Sequence, residues 1–222
     1  MNSSPEYGMS VALEGLRQRG FQPAVVYDIS AAQGSWTAEA ARLRPEARFT
    51  CFEPLPAWRD ALDEVAAEFG SRVTIVRCGV GDTDATIEMG VTDDLYGSSF
   101  AYGGSSRARL PVRRLDSLLA EGVIELPSFV KVDVQGFEGR VLDGAPTVLA
   151  AAEVLLLECQ FIPFCTEMRT LDETIAHVAR LGFVPYEFVD FLRRPLDGAM
   201  GQCDILFVRR GHPLISDLRW AA

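Results

Sequence analysis

The sequence predicts an α/β fold built on a mostly parallel sheet of seven strands, and three observations carry that expectation. Short apolar runs alternate with helical periodicity along almost the whole 222 residues. Acidic residues stand at or near the ends of the first four runs. The last two runs follow one another without a convincing helix between them, which predicts an antiparallel terminal hairpin.

In chain order, residues around 9–19 read as a helix ending at Gly20, within an N-terminal helical extension over 1–22. "AVVYDI" (24–29) is a strand, and a helix from Ser35 to Leu43 stops before Pro45. Arg48–Phe52 is the second strand; a helix over 56–69 ends at Gly70, and Val73–Arg77 is the third strand. Residues 84–114 interrupt the rhythm. "ATIEMGV" and "ARLPVRRL" alternate in polarity around a Gly/Ser/Tyr-rich loop, the pattern of an inserted strand pair. "DSLLAEG" is a short helix capped by Asp116 or Ser117, "FVKVDV" is a strand, and Phe137–Ala150 reads as one helix. "EVLLLEC", the amphipathic "TLDETIAHVARLGF", "VPYEFV" and "CDILFVRR" complete the alternation, with a loop of about a dozen residues inside the final pair. No linker or repeat divides the chain, so one domain over 1–222 is expected.

Composition narrows the function classes. A formal net charge of −10 and a pI near 4.7 disfavour nucleic acid and anionic membranes as partners, since both attract clustered cations. The start "MNSSPEYGMS" has no basic segment followed by an apolar one, and no run reaches the ~18 apolar residues of a membrane span. Five cysteines (Cys51, Cys78, Cys159, Cys165 and Cys203) form no CxxC pair, which suits a reducing, cytoplasmic setting and no zinc site. His177 falls in a helical pattern and His212 beyond the last strand, and both read as structural or surface residues. No acid or histidine set has clear metal-ligand spacing, and no metal is expected, although Asp133 with Glu158 could hold Mg²⁺.

The acids indicate the cofactor. Ligands of such sheets sit at the carboxyl ends of the strands. Glu53 in "CFEP" can accept both ribose hydroxyls of an adenosine, whether in NAD or in S-adenosylmethionine (SAM). Asp28 discriminates further, because a pyrophosphate over the first strand–helix turn is repelled by a carboxylate there. SAM has no phosphate and brings an ammonium. In "DISAAQGSW" the small residues Ser30, Ala32 and Gly34 stand where three glycines usually let a cofactor approach the backbone, and serine and alanine disfavour positive φ.

In combination, "VVYDISAAQGSWT", "FEP", "VRCGVGD", "LDSLL" and above all "FVKVDVQGFEGRVLDGA" resemble the FkbM family of SAM-dependent methyltransferases, in order and across about Val25–Val208. The resemblance implies a Rossmann-like class I methyltransferase fold. It implies cofactor contacts from Asp28, Ser30, Ala31 and Gly34 at the methionine end, Glu53 and Pro54 at the ribose, Gly81 and Asp82 at the adenine, and Asp133 beside the transferred methyl. Three departures stand out: Ser30 for glycine, Ala32 for asparagine and Gln135 for glutamate.

The family further implies O-methylation of a small-molecule acceptor, a hydroxyl on a sugar, glycan or secondary metabolite. An alcohol gains from a base, and Asp133, Glu138 and Glu158 are placed for that role at strand ends. Glu138 reads equally as the cap of the following helix. Lys131 either orients a neighbouring acid or is a polar residue at the strand's start. Tyr96, Ser98, Ser99 and Tyr102 in the long loop 92–106, with Phe161 after the fifth core strand, are the expected acceptor contacts. The rival readings are a non-catalytic or divergent SAM-binding or partner-binding module, motivated by Ser30, Ala32 and Gln135, and an NAD-dependent oxidoreductase or epimerase. The latter lacks both a G-x-G-x-x-G turn and a Tyr-x-x-x-Lys pair. Oligomeric state is left open.

Overall fold

The computed structural model describes residues 8–221, so the first seven residues of the predicted N-terminal extension and Ala222 lie outside the description. Seven strands form the main sheet: β1 (Val25–Ile29), β2 (Arg48–Phe52), β3 (Val73–Val76), β7 (Phe129–Val132), β8 (Val154–Gln160), β9 (Phe183–Arg193) and β10 (Met200–Arg209). Their order is β3-β2-β1-β7-β8-β10-β9. The first five run parallel, while β10 is antiparallel to both β8 and β9. The chain leaves β1 toward β3 and later returns on the opposite side at β7. That switch opens a crevice at the carboxyl ends of β1 and β7, where ligands of such sheets bind.

Helices cover both faces. α1 (Met9–Gln18), α2 (Ser35–Leu43) and α3 (Arg59–Phe69) pack on one, burying Leu16, Ala40, Ala41 and Leu62 against Val26, Phe49, Phe129 and Leu156. α4 (Leu115–Ala120), α5 (Glu138–Asp143), α6 (Pro146–Ala151) and α7 (Leu171–Arg180) cover the other, with Leu115, Val141, Val148 and Val178 against Tyr27, Val130 and Leu155. Burial on both faces explains why β1, β7 and β8 are near-continuous apolar runs.

The inserted strands β5 (Ala85–Val91) and β6 (Ser106–Arg113) pair antiparallel, and the short β4 (Gly79–Val80) adds a third strand parallel to β6. Three further points differ from the sequence expectation. The single helix expected over Phe137–Ala150 is two. Pro146 cannot continue α5 and instead starts α6 at its first turn, where a missing N–H is harmless. Gly144 allows the break to press on the neighbouring chain, since a Cβ there would lie 1.9 Å from the Gly81 carbonyl oxygen. Secondly, α4 begins after Arg114 and is not capped by its own Asp116 or Ser117. Asp84 accepts from the Arg114 N–H (2.9 Å) and the Ser117 hydroxyl (2.6 Å), while Asp116 accepts from the Thr147 and Val148 N–H groups that open α6. Thirdly, β9 and β10 extend toward each other and leave only residues 194–199 between them. Among the described residues no helix is long and apolar enough to cross a membrane.

Candidate active site

The loop after β1 keeps the shape that glycines would give it. Ser30 and Ala32 adopt φ of 67° and 48°, and Gly34 has φ of 81°. The left-handed region disfavours residues with a Cβ, so these two positions are held by their surroundings. The Ser30 and Ala31 N–H groups both donate to the Phe52 carbonyl, at 2.9 and 3.1 Å. The Ala32 N–H donates to Glu53 Oε2 at 2.9 Å, and Glu53 Oε1 accepts from the Leu55 N–H at 2.8 Å. Glu53 therefore clamps the β1 loop to the end of β2 from a buried position. Burial pushes its pKa up to about 7, against the pull of those two N–H groups.

Asp28 is placed differently from the expectation. Its carboxylate has no exposed surface and is held by Lys131 Nζ (2.9 Å) and the Thr37 hydroxyl (2.7 Å). Alternate strand residues share a face, and Asp28 pairs in register with Lys131, so the two meet beneath the crevice. Asp28 thus braces the floor and presents no free carboxylate to an ammonium. Lys131 takes the orienting role, with a second acid, Asp133 Oδ2, at 3.7 Å.

Asp133 stands just beyond β7 with its side chain 40% exposed. Although partial withdrawal from water raises its pKa, the Lys131 charge and the hydrogen bonds around it hold Asp133 below its ordinary value. Glu158 lies on the adjacent strand, one register step past the Val132–Leu157 pair. Burial, then the charge of Asp133, lifts Glu158 far above the carboxylate range. Gln135 bridges these two acids: its Nε2 donates to Asp133 Oδ1 at 2.9 Å and to Glu158 Oε2 at 2.7 Å. The row continues in register to Asp204 on β10 and Asp190 on β9. Asp204, pushed up to about 7 by burial and by Asp133, borders a cavity of ≈ 200 Å³ with Asp190, Phe191, Leu192, Gln202 and Cys203. Glu138, in contrast, folds back to accept from the Val134 and Gly136 N–H groups, both at 3.1 Å. It shapes the turn before α5, and burial lifts it to about 7.

Loop 92–106 crosses this edge. Tyr96 packs on Trp58, which follows β2, with ring centroids 5.0 Å apart, and does not line the ≈ 200 Å³ cavity. The Ser98 and Ser99 side chains are buried and serve the loop itself. Ser98 Oγ accepts from the Thr92 N–H, and Ser99 Oγ donates to the Gln135 carbonyl at 2.7 Å. Tyr102 donates to the Gly97 carbonyl and meets Phe164 edge-on at 5.2 Å. Phe161 is 38% exposed just past β8, its N–H tied to Gly201 at the start of β10.

Gly81 and Asp82 also lie elsewhere than expected. Asp82 pairs with Arg140 at 3.0 Å, and Gly81 packs against Gly144 and the Phe137 ring. Gly79 and Val80 are the residues that line a small cavity at the crevice, with Ile29, Ser30, Phe52, Pro54 and Phe100. It holds ≈ 20 Å³, room for about one water molecule. A Cβ on Gly79 would lie 2.5 Å from the Phe100 ring. Phe100, Asp190 and Asp204 were not singled out from sequence; an acid in the midst of the apolar "CDILFV" was the available signal.

A crevice at the topological switch of this strand order, with a compact β1 loop and a buried acid ending β2, defines a class I, Rossmann-like methyltransferase. The chain belongs to the FkbM methyltransferase domain family, which matches residues 28–185. Among solved structures it is similar to the 1,6-didemethyltoxoflavin-N1-methyltransferase of Burkholderia thailandensis, solved with 1,6-didemethyltoxoflavin and S-adenosylhomocysteine bound. Identity is 16%, 90% of this chain and 76% of that chain are covered, and the TM-score is 0.51. An rRNA methylase from Streptococcus thermophilus matches at 11% identity, 94% and 99% coverage and TM-score 0.54. Magnesium protoporphyrin IX methyltransferase from Synechocystis PCC 6803, with bound SAM, matches at 12% identity, 89% and 76% coverage and TM-score 0.51. At these identities the likeness is one of fold. No curated protein matches the chain by sequence.

The family's cofactor is SAM, and the residues present fit it. The β1 loop already has the glycine-like backbone that lets a ligand approach, despite Ser30 and Ala32. Glu53 directly follows β2 and would hold the ribose hydroxyls. Bound there, SAM supplies an activated methyl group.

Proposed function

We propose that the chain is a single catalytic domain that methylates a hydroxyl of a small molecule, a sugar, glycan or secondary metabolite, with Asp133 as the base. The observation that carries this reading is the Asp133 carboxylate: partly exposed, and fixed at the crevice edge by Lys131 and Gln135, which hold its pKa below the ordinary value. Methyl transfer is an in-line displacement, so aligning the acceptor supplies much of the rate. A carboxylate that accepts the hydroxyl proton as the new C–O bond forms contributes about 10²–10⁴-fold more.

The cavity beside Asp204 offers the acceptor a polar wall and apolar Phe191 and Leu192, and Phe161 and Tyr102 stand on neighbouring segments. Glu158 holds a proton and supports the base. Ser30, Ala31, Gly34, Glu53 and Pro54 hold the cofactor, with Gly79 and Val80 in the place expected of Gly81 and Asp82. The net charge of −10 speaks for a small acceptor over RNA. Four buried cysteines and a partly buried fifth, all unpaired, fit work in the reducing cytoplasm.

The test is transfer of labelled methyl from SAM across panels of sugars, polyketides and peptides, with the product's linkage identified by mass spectrometry. O-methylation by the wild type, reduced about 100-fold or more in Asp133→Asn with S-adenosylhomocysteine affinity intact, supports the reading. N- or C-methyl products, or an unimpaired Asp133→Asn enzyme, reject it.

A further inference from the structure

Gln135 is over-determined for a turn residue. Its φ of 53° lies in the left-handed region, which a residue with a Cβ enters only under strain. Three contacts hold it there. The Ser99 hydroxyl binds its carbonyl, Glu138 Oε1 accepts from the N–H groups on either side of it, at Val134 and Gly136, and its amide reaches both Asp133 and Glu158. Strain sustained in this way at a crevice edge points to a functional task.

The task follows from the atoms. Each acid has a second oxygen engaged elsewhere: Asp133 Oδ2 faces Lys131, and Glu158 Oε1 accepts from the Gln160 amide. Between the remaining two oxygens lies one nitrogen with two N–H donors, at 2.9 and 2.7 Å. That is the position a small cation bridging two carboxyl groups would take. We propose that the Gln135 side-chain amide is a built-in substitute for such a cation, holding Asp133 oriented so that this place takes no divalent metal.

Gln135 is thus a positioning residue for the base of the proposed reaction. The groups facing Asp133 from the surrounding elements are consistent with this. Lys131 below it is shared with Asp28, and the acids around it are Glu158 on β8, Glu138 on α5, Asp204 on β10 and, beyond it, Asp190 on β9, while Arg169 and His177 share a small cavity with Glu138 and Glu158. Tyr102 in the crossing loop is neutral, its pKa raised to about 12 by burial and by Glu158. A glutamate at 135 would add a third carboxylate to the pair, completing an oxygen set suited to Mg²⁺ or Mn²⁺.

Two measurements test the proposal without any methyl acceptor, so their failure is distinct from failure of the methyltransferase reading. In Mn²⁺ titrations followed by electron paramagnetic resonance, the wild type should show no site weakened by Asp133→Asn. Gln135→Glu should gain a site at least tenfold tighter than any wild-type binding and lose it again with Glu158→Gln. In carboxyl ¹³C NMR titrations, Gln135→Met should raise the Asp133 midpoint by on the order of one pH unit, because the hydrogen bond donated to its carboxylate is removed. A wild-type Mn²⁺ site that disappears with Asp133→Asn overturns the proposal, and this arm needs no Gln135 variant to fold. An unmoved Asp133 midpoint in folded Gln135→Met overturns it as well.

Discussion

Replacing Ser30 and Ala32 together by glycine should stabilise the protein without tightening its hold on the cofactor. Both residues sit in the left-handed region, at φ of 67° and 48°, where a Cβ costs about 1–2 kcal/mol per residue. Glycine removes that cost but loosens the unfolded chain, which returns about 0.4–1 kcal/mol of it. The net gain is roughly 0.5–1 kcal/mol per site, or about 1–2 kcal/mol for the pair if the two act independently. Because they share one loop, some non-additivity is expected. For a chain of this size that is a Tm increase of about 3–6 °C. Affinity should stay within about twofold, since the backbone already has its binding shape and no strain is released on binding. Differential scanning calorimetry reads the first quantity and titration calorimetry with S-adenosylhomocysteine the second. An unchanged Tm accompanied by tenfold tighter binding would refute the reasoning, because it would mean that the loop becomes left-handed only when ligand arrives.

Two other expectations follow from the buried charges. Lys131→Met leaves the buried Asp28 carboxyl with only Thr37 as partner, and should destabilise the fold by about 3–5 kcal/mol in urea unfolding. Adding Asp28→Asn should recover a large part of that loss, and a double variant no more stable than the single one would show that the ion pair is not the cause. For Asp204 the folded pKa of about 7 lies above the ordinary 3.8, so the folded state holds the extra proton and its stabilising share is lost as pH rises from about 4 through 7. The Asp204→Asn variant, which cannot ionise, should therefore gain on the wild type by on the order of 2 kcal/mol between pH 5 and pH 8. A pH-independent difference between the two would contradict this.

The core strands were legible because each is a short apolar run closed by a turn residue or an acid, and α2 and β2 fall where the sequence places them. Pro146 was visible too, but the periodicity of Val141, Leu142, Ala145 and Leu149 survives the break because α5 and α6 pack on the same side of the sheet. Local periodicity therefore could not separate them. The chemistry divides in the same way. That Glu53 and Asp133 lie at the crevice edge follows from their places at strand ends, since strand position determines which edge a residue reaches. Asp28 was misread because its role depends on Lys131, 103 residues away, and only the β1–β7 register brings the two together. Asp204 depends on the β8–β10 register in the same manner. Ser98 and Ser99 looked available as polar loop residues, but a loop crossing a site must satisfy its own backbone, and their hydroxyls do that.

The exchange of caps at the base of the inserted sheet bears on how this scaffold can be re-engineered. Asp84 is the first residue of the segment that sequence alone would excise, yet its carboxylate terminates a helix of the core, and Asp116 in that helix terminates another. The boundary of the transplantable unit is thus not the boundary of the insertion. A chimera that swaps residues 84–114 for a relative's segment would strip α4 of its anchor and disturb the packing behind α6. One that splices between β5 and β6, within residues 92–105, keeps both fastenings and changes only the part that spans the crevice. Libraries aimed at new acceptors should be cut at that inner border.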